Sequence, residues 1–180
     1  MSAAERYVPR YTVADYLQWE GDWGLWDGIA IAMSPAPFGR HQAIVANLLH
    51  EIRRSLDANA CHARVVSVMD WIVRRDTVVR PDVVVICGLI PDRHLESPPA
   101  LIVEVLSDAT RDRDKTYKKQ RYDEQGICAY LMVDPVTETI EGLSRGKSNA
   151  LEPQSCEDVI ELTLCDDGQI KLHRIDIFRR

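Results

Sequence analysis

The sequence predicts an α/β (α+β) fold in which helices pack against a mixed β-sheet. An apolar segment at 100–106, a helical segment at 107–126 and a second apolar segment at 127–133 form a candidate βαβ unit. An amphipathic helix over 41–56 and a stretch rich in β-branched residues over 63–87 supply further elements. This order of elements is typical of helices packed on one mixed sheet.

Composition indicates a globular domain. The chain has 180 residues, of which 46% are hydrophobic and 28% charged, and this length fits one domain over 1–180. No apolar run is long enough to span a membrane and no secretory signal is present, so we expect a cytoplasmic protein. The net charge of −6 argues against a protein that coats nucleic acid, but not against binding through a local patch. The five cysteines include no CxxC pair and are expected to be reduced.

The N-terminal elements are a short helix and a hairpin. Thr12 is a candidate N-cap, with Asp15 in the first turn of the helix that follows. Residues 23–33 predict strand, turn and strand, because the dipeptide Asp27-Gly28 is typical of tight turns.

A loop and a long helix come next. The prolines within 34–39 predict the loop, since proline prevents regular strand pairing. The helix over 41–56 has apolar residues three and four positions apart, and His41 lies at the start of this apolar stripe.

The middle of the chain predicts β-structure. Residues 63–75 form one long strand, Arg75-Asp76 a turn, and 77–87 a second strand that Pro81 interrupts. A loop over 88–99 then leads into the βαβ unit.

The C-terminal part begins with that unit. The helix over 107–126 ends at Gly126, a residue that commonly closes helices. Hairpins follow the second apolar strand, with Asp167-Gly168 as the last turn. We expect the core to span roughly 10–145 and the final hairpins to span 146–180.

Two acidic residues lie in apolar strands. A buried ionised carboxylate at Glu104 is unfavourable unless it is paired or binds a metal, and a salt bridge to Arg80 or Lys118 is the structural alternative. Asp82 follows a proline, where aspartate often bonds nearby backbone in a turn. If the two strands are neighbours, the carboxylates converge, and such oxygen ligands suit Mg²⁺ or Mn²⁺.

The helix of the βαβ unit carries a basic segment. Asp114, Lys118 and Tyr122 share one face at a spacing of four residues. Residues 111–121 hold six basic and two acidic side chains, which could form a phosphate-facing patch or a solvated surface. The candidate phosphate-binding residues are Arg111, Arg113, Lys115, Lys119 and Arg121.

Three segments recur together in one known family. They are RPDVVV (80–85), VEVLSDATRDRDKTYKKQRY (103–122) and GICAYLMVDP (126–135), and with them the chain closely resembles the Uma2 family, also called DUF820, of the PD-(D/E)xK nuclease superfamily. The N-terminal segments YTVADYLQWE, LWDG and SPAPFGRHQAIV match the family as well. The resemblance covers roughly 10–145 and implies a restriction-endonuclease-like fold.

The resemblance implies a set of site residues. Asp82 and Glu104 would be the catalytic acids and, with the backbone carbonyl of Val105, would bind Mg²⁺ or Mn²⁺. Leu106 stands where the superfamily usually has its catalytic lysine, and Lys118 on the following helix is the match.

The implied activity is metal-dependent endonucleolytic hydrolysis of DNA, leaving 5′-phosphate and 3′-hydroxyl ends. His41 and Asp27 would be accessory residues. By analogy with nucleases that cut two strands with two active sites, the resemblance also implies a homodimer.

Two departures from the family pattern keep other functions open. Gly24 and Ile29 replace glutamates that the family usually carries, and Glu51 on the next helix could substitute for one of them. The departures motivate a second hypothesis, a catalytically silent nuclease-fold protein that binds DNA or a partner. A third possibility is an α/β domain whose acids are only salt-bridged.

Overall fold

The computed structural model describes residues 8–33, 39–108, 110–146, 148–164 and 168–180. Its helices are α1 (Val13–Tyr16), α2 (Gly39–Ala58), α3 (Arg111–Arg113), α4 (Lys119–Glu124) and α5 (Arg174–Phe178). A π-helical turn (Asp114–Lys118) joins α3 to α4, and we call residues 111–124 the basic helix. The strands are β1 (Trp23–Trp26), β2 (Ile29–Ala32), β3 (Arg64–Ser67), β4 (Trp71–Arg74), β5 (Thr77–Val79), β6 (Val83–Ile86), β7 (Leu101–Val105), β8 (Ala129–Asp134), β9 (Thr139–Arg145), β10 (Leu151–Gln154), β11 (Val159–Thr163) and β12 (Gln169–His173).

The described strands form three sheets. The large sheet has the order β10-β9-β8-β7-β6-β3, the small sheet has the order β2-β1-β5-β4, and β11 pairs with β12. Within the large sheet β7 and β8 are parallel and the other neighbours are antiparallel. The basic helix connects β7 to β8, so the predicted βαβ unit and the mixed α/β fold are confirmed.

The predicted N-terminal elements are confirmed where the structure describes them. The N–H and the hydroxyl of Thr12 both donate to the Asp15 carboxylate at 2.8 Å, which secures the start of α1. Asp27 and Gly28 have φ angles of 49° and 80°, and two successive left-handed residues make the tight turn between β1 and β2. Residues 34–38 of the predicted loop lie outside the described residues, and Gly39 already begins α2.

Two predicted strands are wrong in their extent. The stretch 63–75 is not one strand but β3 and β4, and the stretch 77–87 is β5 and β6. The strands β3 and β6 lie in the large sheet, whereas β4 and β5 lie in the small sheet. Because β-branched residues favour strand throughout, the sequence pattern does not record where the chain changes sheets. The second change occurs at Pro81, which has no N–H for a sheet ladder, and it places Asp82 directly before β6.

The large sheet has two buried faces with different partners. One face packs against α2, the β11–β12 hairpin and α5 in a single apolar cluster. The other face, which carries Tyr130 and Met132, packs with Tyr122 of the basic helix and Trp71 of the small sheet. Since side chains alternate along a strand, Glu104 belongs to the face that the basic helix covers.

The cysteine prediction needs one correction. Cys61, Cys128 and Cys156 are free thiols, but Cys87 is disulfide-bonded, so the expectation that every cysteine is reduced is wrong. The spacing of cysteines in sequence does not report which of them come close enough in space to pair. None of the helices in the described ranges is long and apolar enough to cross a membrane.

Gly142 on β9 is expected to be essential for packing of the large sheet. A Cβ atom there would overlap the Cys156 sulphur and press on Leu131. Gly142→Ala should therefore lower the free energy of unfolding by about 1–3 kcal/mol in urea titrations, as overpacking of a core does. The double variant Gly142→Ala/Cys156→Ala should recover most of this loss, and no recovery would contradict the assigned clash.

Candidate active site

Asp82 and Glu104 come together because β6 and β7 are neighbours. Val83 pairs with Val103 in the antiparallel register, so Asp82 and Glu104 occupy the next pair of positions and lie on the same face. The Asp82 Oδ2 atom accepts a hydrogen bond of 2.8 Å from the Val105 N–H. The convergence of the two acids, which depended on neighbouring strands, is thus present in the structure.

Glu104 is buried and pairs with Lys118. Its Oε1 atom accepts hydrogen bonds from the Lys118 ammonium at 2.9 Å and from the Tyr122 hydroxyl at 2.8 Å. Of the two cations that the sequence offered, Lys118 is the partner, whereas Arg80 binds Asp70 and Asp22. The basic helix therefore delivers its lysine to the acid in the middle of β7.

Asp114 completes the cluster, and the sequence had given it no role. Its Oδ1 atom lies 2.8 Å from the Lys118 ammonium nitrogen. Asp114, Glu104 and Lys118 are only 1%, 2% and 8% exposed, so three charged groups share an interior position. The spacing of four residues between Asp114 and Lys118 was the available signal, but it does not distinguish a buried pair from a surface pair.

Burial and the neighbouring charges shift the pKa values of the groups in this cluster. Burial raises the pKa of Glu104 above its ordinary value, and Asp114 and Asp82 raise it further, while Lys118 opposes the shift. Burial alone would lower the pKa of Lys118, but Glu104 and Asp114 hold it above its usual range. Burial and Glu104 also raise the pKa of Tyr122, so its hydroxyl remains a donor.

His41 lies beside Asp82. The first turn of α2 brings its Nε2 atom to 3.3 Å from the Asp82 Oδ1 atom, and only 11% of the imidazole is exposed. One carboxylate oxygen of Asp82 thus faces the imidazole while the other accepts the Val105 N–H.

The other accessory candidates have different partners. The Asp27 carboxylate forms ion pairs with Arg74 and, at 2.9 Å, with Arg121, which links the small sheet to the basic helix. Glu51, the candidate substitute for a missing glutamate, is buried and pairs with Arg54 of its own helix. A Cβ atom on Gly24 would lie 3.2 Å from the Trp26 Nε1 atom, which leaves a glutamate little room there.

Most of the candidate phosphate-binding residues are occupied by protein contacts. Arg111 pairs with Asp134 at 2.7 Å, Lys115 with Glu141 at 2.5 Å, and Arg121 with Glu124 as well as Asp27. The Arg113 guanidinium lies 5.4 Å from the centroid of the Trp26 ring. Lys119 is exposed, and these ion pairs reduce the positive field expected from the segment.

The small sheet covers the cluster through aromatic contacts. Trp26 stacks on Tyr117 with 4.8 Å between ring centroids, and the Arg121 guanidinium lies over the Tyr117 ring. A cavity of about 30 Å³ remains between Trp26, Asp114 and Lys118, enough for a water molecule. In the described part of the chain, no group of three or more His, Cys, Asp and Glu side chains is arranged to hold a metal ion.

Comparison with solved structures defines the class of this fold. A structure titled "Crystal structure of a putative nuclease belonging to DUF820 from Anabaena variabilis ATCC 29413" superposes with a TM-score of 0.73 at 19% identity. The match covers 93% of this chain and 97% of that chain, so the two proteins share one architecture.

Comparison with models of protein families identifies the family of this chain. The Uma2 model, described as "Putative restriction endonuclease", matches residues 13–172, and this chain belongs to the Uma2 family. A search of curated proteins found no match. The predicted family is confirmed, and family and fold together indicate a nuclease.

Proposed function

We propose that this protein is a metal-dependent endonuclease that hydrolyses phosphodiester bonds in DNA. The observation that carries the proposal is the pairing of Asp82 with Glu104 at neighbouring positions of β6 and β7, with Lys118 hydrogen-bonded to Glu104 in the interior. Two carboxylates and a lysine in this arrangement can hold a divalent cation and stabilise charge on a phosphate. The nuclease fold and the Uma2 family membership support the same reaction.

The residues present fit a hard divalent cation. We assign Asp82, Glu104 and the backbone carbonyl of Val105 as the ligands of Mg²⁺ or Mn²⁺, since oxygen donors suit these ions. The Asp82 side chain is one-quarter exposed, which leaves this edge of the cluster open to solvent. The excess negative charge around Lys118 also favours a cation. When bound, such a metal would polarise a phosphoryl oxygen and lower the pKa of a bound water.

The protein's own groups orient the reactants. An ammonium has three N–H donors. Lys118 donates one of them to Glu104 and lies in an ion pair with Asp114, so a donor remains for a phosphate oxygen. His41 steadies Asp82, and Tyr122 steadies Glu104. We propose that cleavage leaves 5′-phosphate and 3′-hydroxyl ends. We further propose that the protein acts in the cytoplasm as a homodimer.

Phosphate binding is proposed to depend unequally on the basic helix. Arg113 and Lys119 are the better candidates, because both are exposed at the surface of that helix. The ion-paired Arg111, Lys115 and Arg121 would first have to exchange a carboxylate partner for a phosphate.

Calorimetric titration with Mn²⁺ tests the metal site without knowledge of the DNA substrate. Wild-type protein is expected to bind Mn²⁺, and Asp82→Ala and Glu104→Ala are each expected to abolish the binding because they remove assigned ligands. The exposed acid Asp112 lies on the basic helix, so Asp112→Ala serves as the matched control and should bind as the wild type does. Titrations repeated with duplex DNA present guard against a site that forms only with substrate. Wild-type protein that takes up no Mn²⁺ in either titration would contradict the metal site.

A second candidate function is a catalytically silent module that binds DNA or a protein partner. The crowding of Gly24 by Trp26 favours it, because the structure has little space for the family glutamate at that position. If the protein is a silent module, the wild type and the Glu104→Gln variant should bind the target with the same affinity. Metal-dependent cleavage by the wild type that disappears in Glu104→Gln would exclude this candidate.

A further inference from the structure

We infer that Asp114 is a positioning residue for the active-site lysine, holding the Lys118 ammonium in place together with Glu104. The inference rests on the proposed nuclease function for its catalytic consequence, but the contact itself can be tested separately. Neither the family description nor the sequence pattern assigns a role to Asp114.

The first observation is the geometry around the ammonium. Its nitrogen lies 2.9 Å from the Glu104 Oε1 atom and 2.8 Å from the Asp114 Oδ1 atom. A lysine ammonium has three rotatable donors on a long flexible stem, so a second carboxylate at this distance restricts the position of the ammonium. Asp114 and Lys118 both line the small cavity under Trp26, so the remaining N–H has space beside it for a water or phosphate oxygen.

The second observation is that Asp114 is itself fixed. Its peptide carbonyl accepts a hydrogen bond of 3.0 Å from the hydroxyl of Tyr130, a buried residue of β8. The π-helical turn begins at Asp114 and ends at Lys118, and π-helical turns recur at functional sites. The backbone of the residue that carries this carboxylate is therefore anchored to β8 of the large sheet.

The third observation separates the tasks of the two carboxylates. The Glu104 Oε1 atom already accepts the Tyr122 hydroxyl, and Glu104 is an assigned ligand that would share its charge with a bound cation. Asp114 has no such second task in the proposed mechanism. Asp114 is the carboxylate that would keep Lys118 oriented while Glu104 binds the metal.

The contact is tested first in the wild-type protein by nuclear magnetic resonance. We expect a slowly exchanging Lys118 ammonium signal with a hydrogen-bond-mediated correlation to the carboxyl carbon of Asp114. The signal is assigned by its disappearance in Lys118→Arg. Because this measurement uses neither DNA nor a variant at Asp114, the absence of the correlation would overturn the inference even if every substitution at Asp114 unfolded the protein.

The catalytic consequence is tested by steady-state DNA cleavage. Asp114→Asn is expected to lower kcat by about 100-fold with KM changed by less than about threefold, because only transition-state stabilisation is lost. Asp114→Glu should recover at least about tenfold of this loss, since a carboxylate is restored. The matched control Asp112→Asn makes the same chemical change at an exposed position of the same helix and should leave kcat unchanged.

The outcomes distinguish this inference from the proposed function. A kcat of Asp114→Asn equal to that of Asp112→Asn would overturn the positioning role. A wild-type protein that cleaves no DNA would overturn the proposed function, and the ammonium signal would then decide alone whether Asp114 positions Lys118.

Discussion

Replacement of Glu104 by glutamine is expected to lower metal-dependent DNA cleavage at least about 10³-fold, because it removes a metal ligand and the charge that holds Lys118. Glutamine has nearly the same shape, and its carbonyl can still accept hydrogen bonds from Lys118 and Tyr122. We therefore expect the variant to fold, and thermal unfolding should confirm this before cleavage is measured.

A buried glutamate elsewhere in the chain provides the control for that experiment. Glu51 is buried and ion-paired like Glu104, but its partner is Arg54 of the same helix. Glu51→Gln should alter cleavage by less than about threefold, since it removes neither a ligand nor a contact of Lys118. Cleavage that persists in Glu104→Gln would remove Glu104 from the catalytic machinery.

The predicted part of the site depends on local order along the chain. The βαβ unit is contiguous in sequence, so the register that brings Lys118 from the basic helix onto Glu104 of β7 follows from one supersecondary unit. The apolar stretch around Glu104 already indicated that a partner was required. The sequence placed Asp82 near Glu104 only if β6 and β7 are neighbouring strands, and in the structure they are.

The unpredicted part depends on contacts between distant segments. The acids that neutralise Arg111 and Lys115 lie on β8 and β9, and one of the two acids that bind Arg121 lies in the β1–β2 turn. Net charge over a window of sequence counts these cations but not their partners. The positive patch that the composition suggested is for this reason smaller in the folded protein.

The division of the β-rich middle into two sheets was also beyond the sequence pattern. Alternation and β-branching are satisfied equally well in either sheet, so they do not reveal that the chain leaves the large sheet after β3 and returns at β6. The return has a functional consequence, since it places Asp82 at the start of β6 rather than in the middle of a longer strand.

Lys118→Met is expected to destabilise the protein strongly and in a pH-dependent way. Methionine fills a similar volume but leaves Glu104 and Asp114 buried without a cation, which should lower the free energy of unfolding by about 3–5 kcal/mol near pH 8. A buried carboxyl without a partner has a higher pKa in the folded protein than in the unfolded chain. At pH values between these two pKa values, the folded variant therefore binds more protons than the unfolded chain, and its stability falls as the pH rises. The loss should therefore be small near pH 5 and grow as the pH rises, which urea titrations across this range measure.

Two further variants identify the cause of this loss. The double variant Lys118→Met/Asp114→Asn removes one uncompensated charge and should regain a substantial part of the stability at pH 8, since the penalty comes from buried charge and not from packing. Lys115→Met changes a partly exposed lysine of the same helix, whose ion pair with Glu141 lies at the surface, and should cost less than about 1 kcal/mol at any pH. A loss in Lys118→Met that is equal at pH 5 and pH 8, or that the double variant does not reduce, would show that the lysine stabilises the fold through its stem and not through its charge.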